Sequence, residues 1–190
     1  MKKIIKAYSA GAQLGKEILR LISTPAFSCK EDCGYFYTPA SFRDLAEIES
    51  IYFELNGTLF SKLQRISLLL NVKKCLLIVK IKEKGLEKIV GMNFYYINKK
   101  DFKEKTIHEG FIGVLPAYEG QGLATEMRKI AILHFAKAGF MGISTRVSKG
   151  NLGSLRSAEK LGFLPTEEYF DSKVDEVRYY MVCKFGTNCD

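Results

Sequence analysis

The chain has 190 residues, 47% of them hydrophobic and 26% charged, which suits one globular domain with a sizeable core. No apolar run reaches the roughly 18 residues of a membrane span, so none is expected. The formal net charge is +8, but the basic residues are scattered and carry no RNA-binding signature, so a lysine-rich surface is the simpler reading and no nucleic-acid partner is expected.

In chain order, residues 1–23 place Ile4, Tyr8, Gly11, Gly15, Ile18 and Ile22 on one helical face, with Lys2, Lys6, Lys16 and Arg20 elsewhere. Lys6, Gln13, Lys16 and Glu17 interrupt any signal-peptide core, and the helix is expected to pack on the protein or on a second subunit. Thr24 to Gly34 lacks periodicity and reads as a connector, which divides the chain into an extension over 1–34 and a domain over 35–190. Five cysteines, odd in number and loosely spaced (Cys29, Cys33, Cys75, Cys183 and Cys189), point to free thiols in a reducing cytoplasm and to no metal site.

Tyr35 to Thr38 is a first strand, stopped by Pro39. Ser41 caps a helix carrying Phe42, Leu45, Ile48, Ile51 and Tyr52 at helical spacing, broken at Asn56-Gly57. A second helix over 59–70 puts Leu59, Leu63, Ile66 and Leu70 on one face. Cys75–Ile81 and Ile89–Ile97 form a hairpin with a charged turn. Ile107–Val114 is a strand, Gly122–Ala138 a helix, Gly142–Val147 a strand, Ser154–Leu161 a short helix, and Glu176–Phe185 a last strand. This order describes an α/β domain with a mixed sheet, in which ligands bind where strand C-termini run into helices.

Tyr118-Glu-Gly-Gln-Gly-Leu-Ala-Thr125 stands at such a junction. Gly120 and Gly122 open backbone angles closed to other residues, and the helix start adds free N–H groups and a positive dipole end. That combination cradles a pyrophosphate. No Lys-Ser/Thr pair follows, so a nucleoside triphosphate site is not expected.

Here the chain resembles the GNAT acetyltransferase superfamily. The family motif Gln/Arg-x-x-Gly-x-Gly/Ala, preceded by Val-x-Pro, is met by Val114-Leu-Pro116 and Glu119-Gly-Gln-Gly122-Leu-Ala124, with Glu119 replacing the usual Gln or Arg. A second match is Asn151 and Ser154 followed by Leu161-Gly-Phe163. The resemblance covers residues 35–185 and is specific over 107–163. It implies a mostly antiparallel central sheet flanked by helices, with the fourth and fifth strands (Ile107–Val114 and Gly142–Val147) splayed apart. It also implies acetyl-CoA as cosubstrate. Backbone groups near Ile112 and Val114 would hold the pantetheine arm, Glu119, Gly120, Gln121, Gly122, Leu123, Ala124 and Thr125 would form the phosphate loop, and Asn151 and Ser154 would touch the arm or phosphates. From the residues alone, Asn151 also reads as a loop bend and Ser154 as a helix cap.

The implied reaction is direct attack of a primary amine on the thioester in a ternary complex. The acceptor would be a small molecule, an amino sugar or a protein N-terminus. A neutral amine must be supplied: at pH 7 this costs about 4.6 kcal/mol for a lysine-like amine but only about 1.4 kcal/mol for an α-amine. His108 and Glu109, on the strand entering the site where the family sometimes carries its base, are the candidate bases, and they face opposite sides of the sheet. The tyrosine that many members use as general acid is replaced by Ala158, so the acid is unassigned. His134 lies mid-helix and reads as structural. Tyr52, Phe53, Phe94, Tyr95, Tyr96, Tyr179 and Tyr180 enrich the regions that would form an acceptor pocket. The expectation is a cytoplasmic N-acetyltransferase, with a homodimer left open. Glu119 and Ala158 motivate the alternative of a non-catalytic acyl-CoA-binding or regulatory module.

Overall fold

The computed structural model describes residues 21–172 and 174–186, and within them an eight-stranded sheet runs through the domain. The strands are β1 (Lys30–Asp32), β2 (Tyr35–Pro39), β3 (Leu76–Glu83), β4 (Leu86–Tyr96), β5 (Ile107–Val114), β6 (Gly142–Ser148), β7 (Leu164–Asp171) and β8 (Glu176–Lys184), in spatial order β1-β2-β3-β4-β5-β6-β8-β7. The helices are α1 (Leu45–Asn56), α2 (Lys62–Cys75), α3 (Lys99–Glu104), α4 (Leu123–Lys137) and α5 (Leu152–Glu159). All strand pairs are antiparallel except β5 with β6. The expected mixed, mostly antiparallel sheet flanked by helices is what the chain forms.

Most element ends follow from local chemistry. Ser41 and Asp44 make a capping box before a 3₁₀ turn that leads into α1, and α1 ends on Gly57 at φ 69°. Ser61 and Gln64 make a second capping box for α2. The β3–β4 turn is Lys84-Gly85, both at positive φ, the backbone that suits a two-residue hairpin loop.

Two local expectations are corrected and two elements are added. The connector over 24–34 contains β1, joined to β2 through Cys33 and Gly34 at φ 50° and 81°, and Phe27 is already in the core. Helix α2 runs on to Cys75 past a kink at Asn71, and its buried residues include Leu68, Val72 and Cys75, whereas Leu59, Ile66 and Leu70 are exposed. The run Leu68-Leu-Leu70 offers more than one apolar face, and only packing on the sheet selects among them. Two elements, α3 and β7, had no sequence signal. The first is short and polar, started by Asn98, whose side chain accepts from the Lys100 and Asp101 amides. The second is a largely exposed strand containing Pro165, as edge strands tolerate. The expected helix over 1–23 lies outside the described residues up to residue 20; Leu21 is buried and Ile22 exposed.

Helix α4 buries Leu123, Met127, Ala131 and Phe135 against one face of the sheet. The other face takes α1 and α2. Neighbouring residues of β5 show the alternation: a Cβ on Gly113 would meet Leu55 of α1, while Val114 and Met127 of α4 both lie beside Gly91. Among the described residues no helix is long and apolar enough to cross a membrane.

Candidate active site

Strands β5 and β6 pair only over Ile107–Ile143, His108–Ser144 and Glu109–Thr145. Beyond that point they separate, so the β6-facing edge of β5 from Gly110 to Val114 meets no strand among the described residues. The separation begins at a bulge: Tyr95 opposes Glu109 and Phe94 opposes Phe111, leaving Gly110 as the extra residue. Gly110 is small for a steric reason, since a Cβ there would come within 2.4 Å of the Tyr96 ring.

The gap opens into a cleft of about 820 Å³ between β5, the start of α4, and α5. Gly122 is the N-cap of α4 at φ 80° and supplies no capping side chain; Gly120 is at φ 74°. The amides of Leu123, Ala124 and Thr125 in the first turn thus face the cleft uncapped, and a Cβ on Gly120 or Gly122 would meet nothing within 4 Å. This is a concave array of donors at the positive end of a helix, of the shape and polarity that hold a phosphate. The β1–β2 hairpin braces it from outside: Lys30 Nζ lies 2.6 Å from Glu126 in the first turn of α4, and the Tyr35 hydroxyl donates to the Gln121 side chain.

Ile112, Val114, Glu119, Gly120, Gly122, Leu123, Ala124, Thr125, Asn151 and Ser154 all line the cleft. Gln121 is not on its wall. Asn151 is the N-cap of α5, its side chain accepting from the Ser154 amide at 3.0 Å. Sequence reasoning did not find Arg128, Arg156, Ser157 and Lys160, which also line the cleft. Arg156 and Lys160 are one helical turn apart, and that spacing on a helix beginning at Asn151 was the available signal.

Arg128 had no such signal. It is 1% exposed and joins three elements. Its guanidinium grips Glu109 of β5, with Nη2 at 2.8 Å from Oε2 and Nε at 3.1 and 3.2 Å from the two carboxylate oxygens. It also donates to the Ser154 carbonyl and hydroxyl, both at 3.1 Å. Asn93 Nδ2 donates to Glu109 Oε1 at 2.9 Å. Glu109 is therefore held in a buried two-point ion pair on the cleft side of the sheet, and Ser154 is anchored through Arg128.

His108 points to the opposite face. It is 2% exposed, lies edge-on to Tyr96 and stacks on Tyr180. Burial, and then the positive charges of Arg146 and Arg178, push its pKa down to about 3, so the ring is neutral at physiological pH. Neither His108 nor Glu109 lines the cleft. Of the aromatic residues expected near an acceptor, Tyr52, Phe94, Tyr96 and Tyr180 share the His108 face, with Phe111 packed edge-on to Tyr52. Tyr95 is in the core beside Phe135 on the opposite face, Phe53 is exposed, and Tyr179 lies under Lys149. Ala158 is fully buried. His134 stacks on Phe27 at 4.0 Å, and burial lowers its pKa to about 4.

Solved structures of similar fold include the NatC complex bound to Gag peptide and CoA (17% identity, TM-score 0.69, 80% of this chain and 98% of that chain). They also include Arabidopsis thaliana NAA60 in complex with acetyl-CoA (12% identity, TM-score 0.66, 80% and 99%). A third is the ribosomal-protein-S18-alanine N-acetyltransferase from Escherichia coli (17% identity, TM-score 0.61, 82% and 97%). No curated protein sequence matches significantly. The model of the acetyltransferase (GNAT) family, however, matches residues 31–163, a span that holds the splayed strands, the uncapped helix and the run from Asn151 to Phe163 together, and the chain belongs to that family.

Proposed function

We propose that the chain transfers an acetyl group from acetyl-CoA to a primary amine, with a peptide or protein N-terminus as the favoured acceptor class. The observation that carries this is the uncapped start of α4, with Gly120 and Gly122 at positive φ, opening into a cleft continuous with the unpaired edge of β5. The amides of Leu123, Ala124 and Thr125 would hold the pyrophosphate, with Arg156 and Lys160 adding positive charge at the rim. The strand edge from Gly110 to Val114 would hold the pantetheine arm as a partner strand, and Asn151 and Ser154 would border it from α5.

The thioester end would then lie where β5 and β6 part. The acceptor amine would come from the other face, past Tyr52, Phe111, Tyr96 and Tyr180, and meet the thioester through the gap. Attack forms the C–N bond as the C–S bond breaks and the thiolate leaves, a fair leaving group since a thiol pKa is about 8.5. Glu109, locked to Arg128, shapes the cleft side, while His108, neutral and on the acceptor face, takes the proton that C–N bond formation makes acidic on the attacking nitrogen. An α-amine is favoured because about 1.4 kcal/mol makes it neutral at pH 7, against about 4.6 kcal/mol for a lysine side chain. Among similar structures, one is described with a bound peptide and CoA and another as acting on a protein's alanine, which supports the same class.

The test is mass spectrometry of peptides with free N-termini incubated with the protein and acetyl-CoA, with thiol release followed in parallel. Acetylated N-termini and matching thiol release are expected. Tight acetyl-CoA binding with no product across peptides, amino sugars and small amines would overturn the reading in favour of a binding module, the role that Glu119 and the buried Ala158 would suit.

A further inference from the structure

On the acceptor face, behind His108, lies a chain of buried polar groups that the cofactor cleft does not use. Asp101 of α3 and Ser144 of β6 are both fully buried. Ser144 Oγ is 2.6 Å from Asp101 Oδ1 and 2.6 Å from His108 Nδ1. Asp101 Oδ1 also accepts from Thr106 Oγ1 at 2.6 Å and from the Tyr180 hydroxyl at 3.2 Å. Among the described residues Asp101 Oδ2 has no hydrogen-bond partner, and it stands 3.7 Å from His108 Nδ1.

The proton order along this chain is fixed by counting. Ser144 has one hydroxyl proton, and Asp101 Oδ1, which three hydroxyls converge on, has none to offer. The Ser144 proton therefore points at Oδ1, and its oxygen lone pair faces Nδ1. Nδ1 must carry the ring hydrogen, so Nε2 keeps its lone pair, and among the described residues no group bonds it. This is the tautomer that can accept a proton from the acceptor side.

We propose that Asp101 and Ser144 are positioning residues that hold His108 in the tautomer whose Nε2 takes the proton from the acceptor amine. The inference rests on the acetyl-transfer reading above and adds to it the groups that make His108 competent. The proton leaves the amine nitrogen for Nε2 as the C–N bond forms, and passes from Nε2 to water once product has left. While the ring is charged, the Asp101 carboxylate beside Nδ1 stabilises it. The other charged or titratable groups facing the ring are Tyr96 from β4, Arg146 from β6, and Tyr180 and Arg178 from β8; the two guanidiniums oppose the charge. Glu109, the next residue, faces the other side of the sheet.

The chain has two histidines, so ¹⁵N-histidine NMR of the full-length protein, with His134→Gln to assign the signals, reads the tautomer directly. The wild-type His108 is expected with hydrogen on Nδ1 and none on Nε2. Asp101→Asn presents an amide donor to Ser144, which turns the hydroxyl proton toward the ring and moves the ring hydrogen to Nε2. With that swap, kcat for peptide acetylation falls by about 10²-fold, the KM for acetyl-CoA is unchanged, and the acidic limb of the kcat profile moves. Ser144→Ala, a smaller change, is the second variant should the Asn form fail to fold, and it is expected to lower kcat with the same unchanged KM. A wild-type ring with hydrogen on Nε2, or variants with wild-type kcat and pH profile while transfer persists, overturns the positioning role alone. Absence of transfer to any amine by the wild-type protein overturns the acetyl-transfer reading, and the catalytic role of the chain with it.

Discussion

Arg128→Met tests whether the cleft is held together by the buried ion pair. The substitution keeps an unbranched apolar side chain at this buried position and removes the guanidinium, whose carbon lies 5.8 Å from the centre of the Phe163 ring. Glu109 is 2% exposed and loses its two-point partner, keeping among the described residues the Asn93 amide at 2.9 Å and the Tyr95 hydroxyl at 3.5 Å. Ser154 loses the donors to its carbonyl and hydroxyl. Breaking a buried pair from one side costs about 3–5 kcal/mol, and the retained Asn93 bond places this case near the lower end, about 3 kcal/mol. For a chain of this size that corresponds to a midpoint lower by about 6–12 °C. The assay is urea unfolding of wild type, Arg128→Met, Glu109→Gln and the double variant. With the uncompensated carboxylate removed, the double variant should recover about 2 kcal/mol relative to the sum of the singles. Acetyl-CoA affinity should still be reduced in Arg128→Met, because Ser154 and the first turn of α5 lose their anchor. A cost under about 1 kcal/mol, or additive single effects, would refute the view that this pair holds the cleft.

Four further outcomes are expected. Wild-type protein should gain about 2.7 kcal/mol of stability at acetyl-CoA 100 times its dissociation constant, and Gly122→Val should lose that gain, since a branched side chain would project into the cradle; a retained thermal shift would refute the cradle assignment. Glu119→Arg should tighten CoA binding in a salt-sensitive way by placing a cation at the phosphate end, as measured by calorimetry at two ionic strengths, and weaker binding would show a favourable role for the carboxylate. Both histidines have folded pKa values below the ordinary 6.5, about 3 for His108 and about 4 for His134, so the unfolded chain binds more protons in that window; urea midpoints should fall as pH drops from about 6.5 toward 4, and His108→Gln should flatten the slope. Gly142→Ala should destabilise by about 1–3 kcal/mol in denaturant titrations, because a Cβ there would lie 2.4 Å from the backbone oxygen of Cys183, which cannot rotate away.

The sequence by itself determined the parts whose cause is local. Glycines at positive φ mark the turn before α4 and the end of α1, Ser41 marks the approach to α1, and apolar strand runs mark β3 to β6 and β8, whereas the structure supplied the caps Ser61 of α2 and Asn151 of α5 and placed Ser154 inside α5. Because the glycine loop is a backbone device built from contiguous residues, ten of the eleven residues proposed from sequence for cofactor binding line one cleft. Gln121 differs because its partner, Tyr35, is 86 positions away. Only the tertiary structure decided the roles of the charged and polar groups. Glu109 and His108 are adjacent in sequence, yet strand alternation sends one to Arg128 on α4 and the other to Ser144 and Asp101, so their environments depend on elements that no spacing connects. The same holds for β7, which lacks an apolar pattern and exists as a strand because β8 offers it an edge. Local preferences act over a few residues, whereas a buried charge is placed by whichever partner the folded sheet brings to it.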